Sequence, residues 1–357
     1  METRPRSQAM LEALALVAPG TQLREGLDRI LHARMGALIV IGDGPDVLGI
    51  CSGGFLFEAE FTPQRLSELA KMDGAIILSS DTTRVARANV HLVPDPDIPT
   101  SETGTRHRTA ERVGRQIDVP VITVSEDMSL VTIHRSGMKR TLEPIPRVLA
   151  RADQALQILE RYKARLDAVS ASLSALEVED LVTVRDAATV LQRAEMVRRI
   201  AEEIEGYVIE LGVDGRLVLL QLEELMGGVE DDRRLVAKDY YAESTDWELE
   251  DVMHRLSELD TETLLDLREV ASVLRLPGDT GIETALQPRG FRLLHKIPRI
   301  PEVVADHVVE RFSNLQKIMR AGVPDLVEVE GVGEARARAI KEGLSRLAET
   351  SILERYV

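Results

Sequence analysis

Aromatic residues make up only 3% of this 357-residue chain, and there is one tryptophan. Its cores must therefore be filled by Leu, Val, Ile and Ala, which suits helices and buried β-branched strands. Cys51 is the single cysteine, which excludes an intrachain disulfide and any zinc site built on several cysteines. No apolar run approaches the ~20 residues of a membrane-crossing helix. The opening stretch METRPRSQAMLEALALVAPG lacks the long apolar region and cleavage site of a signal peptide. It reads as a first amphipathic helix, and a cytoplasmic location is the default expectation. No G-x-x-x-x-G-K-[ST] loop occurs, so a P-loop route to ATP is excluded. The few histidines are scattered and none belongs to an H-E-x-x-H motif.

What is present is charge, unevenly spread. The net charge is −16. Residues 1–150 carry 17 basic and 19 acidic side chains, residues 151–288 carry 15 and 31, and residues 289–357 carry 12 and 10. The acidity sits in the middle, as a solvated helical surface would have it. The two ends are left free to bind phosphate locally.

Residues 1–147 alternate strand and helix signals. ALIVIG (37–42), DGAIILSSD (73–81), NVHLV (89–93), VPVITV (119–124) and SLVTIHR (129–135) are short apolar runs bounded by turn residues. GDGPDVLG reads as a hairpin turn leading into a glycine-rich strand. FTPQRLSELAKM predicts a helix, with Thr62 as N-cap and Pro63 in the first turn. Residues 105–117 predict another, with Ala110, Val113, Gly114 and Ile117 on one face and Thr105 as N-cap. The expectation is an α/β domain with a mixed sheet flanked by helices.

From Arg147 the period becomes helical. Leu149, Ala152, Leu156, Leu159, Leu166 and Leu173 form a near-heptad seam that Lys163 and Ser170 interrupt, which suits a helix in a bundle. An all-α spine is expected over 148–288, ending in the break PGDTGIETALQPRG. The last range, 289–357, contains a repeat. LHKIPRIPEVVADHVVERFSNL (294–315) aligns with LVEVEGVGEARARAIKEGLSRL (326–347) at an offset of 32. Each copy reads as helix, tight hairpin, helix.

Three local clusters carry chemistry. GTRHRTAERVG (104–114) sets Arg106, His107 and Arg108 at a helix start, where free N–H groups and paired guanidiniums make an anion site. A plain basic turn paired with Glu102 or Glu111 is the competing reading. Asp73-Gly74-Ala75 joins a carboxylate to a stretch with little side-chain bulk, which a flat ligand can approach. An ordinary Asp-Gly turn competes with that. Ser125-Glu126-Asp127 supplies oxygen ligands of the kind Mg²⁺ or Mn²⁺ prefers, or else a capped loop.

At the other end, Gly331-Val332-Gly333 leaves backbone N–H groups at a helix start with no large side chain in the way, and a DNA phosphate can dock there. Arg336, Arg338 and Lys341 add charge. The first copy has Pro298 and Pro301 at its hairpin, lacks the glycines, and reads as structural or a weaker contact. DNA binding of this kind is independent of sequence and sensitive to salt, and a protein–protein module is the competing reading.

KMDGAIILS (71–79) and GTRHRTAERV (104–113), followed by the paired helix-hairpin-helix module, resemble the DNA integrity scanning family of bacterial diadenylate cyclases, over essentially the whole chain. The resemblance implies a nucleotidyltransferase that joins two ATP into cyclic di-3′,5′-adenylate and releases two pyrophosphates. It implies that Thr105, Arg106, His107, Arg108, Thr109 and Ser125 face the triphosphate. Gly74, Ala75 and Leu92 would lie against the nucleoside. Asp73 would activate the 3′-hydroxyl through Mg²⁺ or Mn²⁺ or as a base, with Glu126 as a further metal ligand. Two subunits would meet face to face, each bringing one ATP, in a homo-oligomer of eight. The hairpins, with Gly331, Val332, Gly333, Arg336, Arg338 and Lys341, would bind branched or junction DNA and damp the cyclase. That implies a nucleoid-associated protein of DNA damage and repair. A non-enzymatic repair scaffold that binds ATP without turnover, and a nucleotidyltransferase with another acceptor, are the rival readings.

Overall fold

The computed structural model describes residues 3–242, 248–276 and 281–354, with side chains described between residues 8 and 349. Residues 277–280, the start of the expected break, lie outside the described residues. Contacts divide the chain into two compact units: Met1–Gln154 with Ile204–Leu220, and Ala155–Glu203 with Gln221–Val357. The second unit thus takes in residues of both the expected spine and the expected C-terminal module.

The first unit contains α1 (Thr3–Leu16), α2 (Gln22–His32), β1 (Ala37–Ile41), α3 (Pro45–Gly49), β2 (Cys51–Ser52), β3 (Phe55–Glu60) and α4 (Pro63–Leu69). Then come β4 (Ala75–Leu78), β5 (Arg84–Leu92), α5 (Thr105–Gln116), β6 (Val121–Ser125), β7 (Leu130–Arg135) and β8 (Met138–Thr141). The strands form one sheet in the order β2-β5-β4-β1-β6-β7-β8, with β3 added on β5. β1 and β4 run parallel, Leu38 opposite Ala75, and the remaining pairs are antiparallel. The domain is α/β with a mixed sheet.

Strand alternation builds two cores on this sheet. Ile39, Ile41, Ile76, Leu78 and Ile122 pack with Leu27 and Ile30 of α2 and Leu66 of α4. Leu38, Val40, Ala75, Ile77 and Val121 pack on the other face with Ala110 and Val113 of α5. Helix α5 is thereby clamped on the same face as the buried start of β4.

Local signals explain most element ends. Thr62 Oγ1 accepts the Arg65 N–H at 3.2 Å, capping α4, with Pro63 in its first turn. The cap of α5 is Gly104 rather than Thr105: Gly104 holds the extended backbone of an N-cap and Thr105 is already helical. The segment read as a hairpin turn is instead the short helix α3, because Gly44 caps it and Pro45 supplies a preset φ at its first position. β3 has no core-facing alternation, since Phe55, Leu56 and Phe57 are all exposed.

Helices α6 (Ile145–Glu179), α7 (Val184–Leu211) and α8 (Arg216–Met226) contribute residues to both units. The second unit adds α9 (Val229–Tyr240), α10 (Leu249–Glu258), α11 (Thr261–Leu265), α12 (Leu267–Ser272), α13 (Phe291–His295), α14 (Glu302–Phe312), α15 (Leu315–Arg320), α16 (Val323–Val327) and α17 (Glu334–Glu354). The seam residues Ala152, Leu156, Leu159, Leu166 and Leu173 of α6 are buried. Ser170 does not interrupt that seam to face solvent; it is buried and its hydroxyl accepts from Arg292 Nη2 at 3.0 Å. Arg292 in turn donates to both oxygens of buried Glu177 at 3.1 Å, and Tyr240 Oη donates to the same carboxylate at 2.7 Å. Asp239 accepts the N–H groups of Gly290, Phe291 and Arg292 at the start of α13. A buried polar cluster of this kind persists because its members hydrogen-bond one another and the neighbouring backbone.

The repeat is visible in the elements. Shifting α13 by 32 residues gives Val323–Val327, the span of α16, and shifting Glu302 gives Glu334, where α17 begins. The hairpins match in backbone as well: Arg299 and Gly331, 32 apart, both have left-handed φ, 68° and 80°.

Candidate active site

Asp73 and Gly74 form the turn that feeds β4, and Arg106 stands in the first turn of α5. Because β4 and α5 share one core, these segments meet although 33 residues separate them. Arg106 Nη2 lies 3.3 Å from Asp73 Oδ1. Gly36, just before β1, has no side chain to obstruct the guanidinium: a Cβ there would lie 2.2 Å from Arg106 Nη1. The Asp73 side chain is 96% exposed and Arg106 is 39% exposed, so the pair is open to solvent.

The pair stands at a cavity of about 630 Å³. Of the residues named from the sequence, Asp73, Gly74, Ala75, Leu92, Thr105, Arg106 and Thr109 line it. The Ala75 and Leu92 side chains are buried in the core beneath α5, so their backbones are the parts available to a ligand. His107, Arg108, Ser125 and Glu126 are not among the lining residues. His107 is half-buried with Nδ1 turned back toward Gly104, and Arg108 is exposed. Ser125 Oγ accepts the Met128 N–H at 3.3 Å, which is the loop-capping role. Glu126 is exposed on the turn after β6.

The lining also includes residues the sequence did not single out: Ser52, Gly53, Gly54, Asn89 and His91. The Gly53-Gly54 pair was the one readable signal, since both adopt positive φ. Asn89 and His91 had none, because nothing in a strand sequence marks which side chain turns into a cavity.

The competing reading of the arginines needs partners in Glu102 and Glu111. Those acids are engaged elsewhere. Glu102 pairs with Lys139. Buried Glu111 accepts from Thr100 Oγ1 at 2.5 Å, from the Ser101 N–H at 2.9 Å and from Arg115 at 2.7 Å. Burial alone would raise the Glu111 carboxyl, but these hydrogen bonds and the Arg115 charge hold it below the usual range. Glu111 thus ties the loop before α5 to the helix and fixes where Arg106 begins. Beneath α5, Gly114 permits close approach to β7, where a Cβ would meet His134 at 3.1 Å. His134 is buried with neither ring nitrogen hydrogen-bonded, and burial pulls its pKa down to about 4.

No group of three or more His, Cys, Asp or Glu side chains gathers to hold a metal ion among the described residues. A Mg²⁺-type ion needs only one or two carboxylates when phosphates and water complete its shell. Asp73, open at the cavity and beside a phosphate-type cation, fits that role; Glu126 has no place on the lining.

The C-terminal hairpin keeps some of its expected groups outward and not others. A Cβ at Gly333 would meet nothing within 4 Å, so the backbone there is open. Val332 is buried. Arg338 is exposed and pairs with Glu334 at 2.8 Å. Arg336 Nη1 donates to the Gly331 carbonyl at 2.7 Å. Lys341 Nζ donates to the carbonyls of Met319 and Ala321 at 2.6 and 2.9 Å, closing the C-terminal end of α15.

No helix of the described residues is long and apolar enough to cross a membrane. Residues 24–139 match the family model described as DisA bacterial checkpoint controller nucleotide-binding, and residues 142–282 match the DisA bacterial checkpoint controller linker region. The chain is 56% identical over 352 residues to the DNA integrity scanning protein DisA of Streptomyces avermitilis, covering 98% of this chain and 94% of that one. It is 56% identical over 355 residues to the protein of the same name from Frankia alni, covering 99% of each chain. The Kineococcus radiotolerans protein of that name is 54% identical over 359 residues, with both chains covered in full.

Proposed function

The chain belongs to the DNA integrity scanning protein DisA family, and on that premise we propose that it is a diadenylate cyclase with a DNA-responsive C-terminal module. The observation that carries the reading is the meeting of Asp73 and Arg106 at a cavity of nucleotide size. One group suits a hydroxyl or a divalent ion, and the other suits a phosphate.

Each half-reaction is attack of a ribose 3′-hydroxyl on the α-phosphorus of a second ATP. The new bond is 3′-oxygen to phosphorus, the bond broken joins phosphorus to the bridging oxygen, and pyrophosphate leaves with that electron pair. Such chemistry asks for in-line positioning and neutralised charge rather than covalent help. Arg106 binds phosphate oxygens, with the Thr105 and Thr109 hydroxyls beside it. Arg108, exposed one residue beyond His107, reaches the outer phosphates. Asp73 orients the 3′-hydroxyl and holds a Mg²⁺ or Mn²⁺ ion, or takes the proton itself. When bound, the ion supplies Lewis acidity to the developing charge. The backbone at Gly74 and Leu92 lies along the nucleoside.

The two attacks require two nucleotides head to tail, each 3′-hydroxyl facing the other's α-phosphate. Two copies of the 1–147 domain meeting across a two-fold axis meet that requirement, within a homo-oligomer of eight. The hairpin at Gly331–Gly333 holds DNA phosphates through its open backbone, with Arg338 at the rim, and binding there damps turnover.

Incubation of the purified chain with labelled ATP and Mg²⁺ or Mn²⁺, followed by mass spectrometry of the product, tests the reading. Cyclic di-adenylate is the expected product. Unchanged ATP, or adenylate on another acceptor, overturns it.

A further inference from the structure

The sharpest backbone irregularity beside the cavity is at Asn89. It has a left-handed φ of 55° within β5. The strand register shows why. Ala75 pairs with Val90 and Ile77 pairs with Arg87, so β5 spends one residue more than β4 over that interval. Asn89 falls in this bulge, and bulges re-aim side chains next to functional sites. Two glycines press on it. A Cβ at Gly74 would lie 2.7–2.8 Å from the Asn89 carbonyl carbon, Cα and Oδ1. A Cβ at Gly54 would lie 2.9 Å from the Asn89 carbonyl oxygen and 2.8 Å from that of Ala88. Gly54, Gly74 and Asn89 all line the cavity. The bulge is therefore held from both sides by bare backbone, and the amide of Asn89, a lining residue of the cavity, has no hydrogen-bond partner among the described residues.

We propose that Asn89 determines sugar specificity: its Oδ1 accepts a hydrogen bond from the ribose 2′-hydroxyl of the bound nucleotide, and so favours ribonucleotides over 2′-deoxyribonucleotides. The inference rests on the cyclase reading, which assigns Asp73 to the 3′-hydroxyl. The two hydroxyls are neighbours on one ring. Asp73 and Gly74 are neighbours in the chain, and Asn89 Oδ1 is the polar side-chain atom against Gly74. Among the lining polar groups, Thr105, Arg106 and Thr109 belong to α5 and serve phosphate. Ser52 and His91 pair with each other across β2 and β5, and the atoms nearest a Cβ at Gly74 all belong to Asn89 rather than to either of them. A site built to bond a hydroxyl discriminates against the analogue that lacks it, since its polar group is then left without a partner.

The left-handed φ gives a clean choice of variants. Asn89→Gly keeps the backbone conformation and removes the amide; Asn89→Asp keeps both the conformation and an acceptor oxygen. Turnover of the full-length chain is measured with ATP and with 2′-deoxy-ATP. In Asn89→Gly, kcat/KM for ATP falls and that for 2′-deoxy-ATP barely changes, so the preference shrinks about tenfold. Asn89→Asp retains the preference. An unchanged ratio in Asn89→Gly, or equal losses for both nucleotides, overturns the proposal and leaves a purely structural role. Calorimetric affinities for the two nucleotides are read in parallel. If the chain binds ATP but forms no cyclic product, the cyclase reading fails, and the ratio of the two affinities still decides the role of Asn89.

Discussion

Arg106 reaches across from the first turn of α5 to within 3.3 Å of Asp73, at the head of β4. Neither residue is buried, and the pair joins two segments whose elements, β4 and α5, share one core. In the free chain the two groups satisfy each other in part. On the cyclase reading, a bound nucleotide would separate their duties, phosphate to Arg106 and hydroxyl or metal to Asp73.

Asp73→Asn is expected to leave the fold intact, because the side chain is almost wholly solvated and its ion pair with Arg106 is an exposed one, of a kind that contributes little to stability. Turnover is expected to fall by ~10²–10⁴-fold, the usual cost of losing a base or metal-holding carboxylate. Product formation by a correctly folded variant, checked by circular dichroism, measures this. Wild-type turnover would return Asp73 to the role of a plain turn residue.

Arg106→Ala is expected to weaken ATP binding roughly ten- to hundredfold, the worth of charge-assisted hydrogen bonds to phosphate. Arg108→Ala is expected to weaken it less, since Arg108 is outside the cavity lining. Titration calorimetry with ATP ranks the two. A larger loss from Arg108→Ala would mean that the triphosphate runs over the helix rather than into the cavity.

Gly74→Ala tests the packing of the site rather than its chemistry. The new methyl would fall 2.7 Å from the Asn89 carbonyl carbon, against backbone that cannot step aside. The expected cost is about 1–3 kcal/mol, as for other overpacked positions, read from denaturant unfolding. Stability equal to wild type would show that the turn relaxes freely.

Much of this architecture was legible beforehand. β1 and β4 are unbroken apolar runs because both faces of the sheet are covered there, β6 and β7 are apolar runs interrupted by Thr123, Thr132 and His134, and α5 shows its buried face as Ala110, Val113 and Gly114. Edge elements were less so. Phe55, Leu56 and Phe57 form a strand through backbone pairing with β5 while their side chains stay outside any core, so no hydrophobic pattern marks them. The residue types at Asp73 and Arg106 pointed to phosphate chemistry, but their contact is a product of sheet order. Asn89 was invisible, since a bulge is a relation between strands and not a property of one.

Stability should respond to pH with opposite signs at two buried groups. Burial foremost, opposed by the Arg292 charge, pushes Glu177 up to about 7 from an ordinary 4.5. The folded chain then holds a proton that the unfolded chain releases between those values. This contribution is complete below pH 4.5 and is lost as pH rises to about 7. His134, pulled down by burial from 6.5 to about 4, behaves in reverse: its contribution is complete above pH 6.5 and is lost as pH falls to about 4. Unfolding measured from pH 4 to 8 should show a shallower acid loss in His134→Phe. The fall toward neutral pH should be shallower in Glu177→Gln. Slopes identical to wild type in both variants would count against these assignments.

Lys341 spends its ammonium on the last carbonyls of α15, as if it were the pin of a hinge rather than a finger. Alanine there would loosen the joint between the two copies of the repeat. A drop in DNA affinity after that change would then be an injury to the frame, and charge counting on this surface should begin with Arg338 instead.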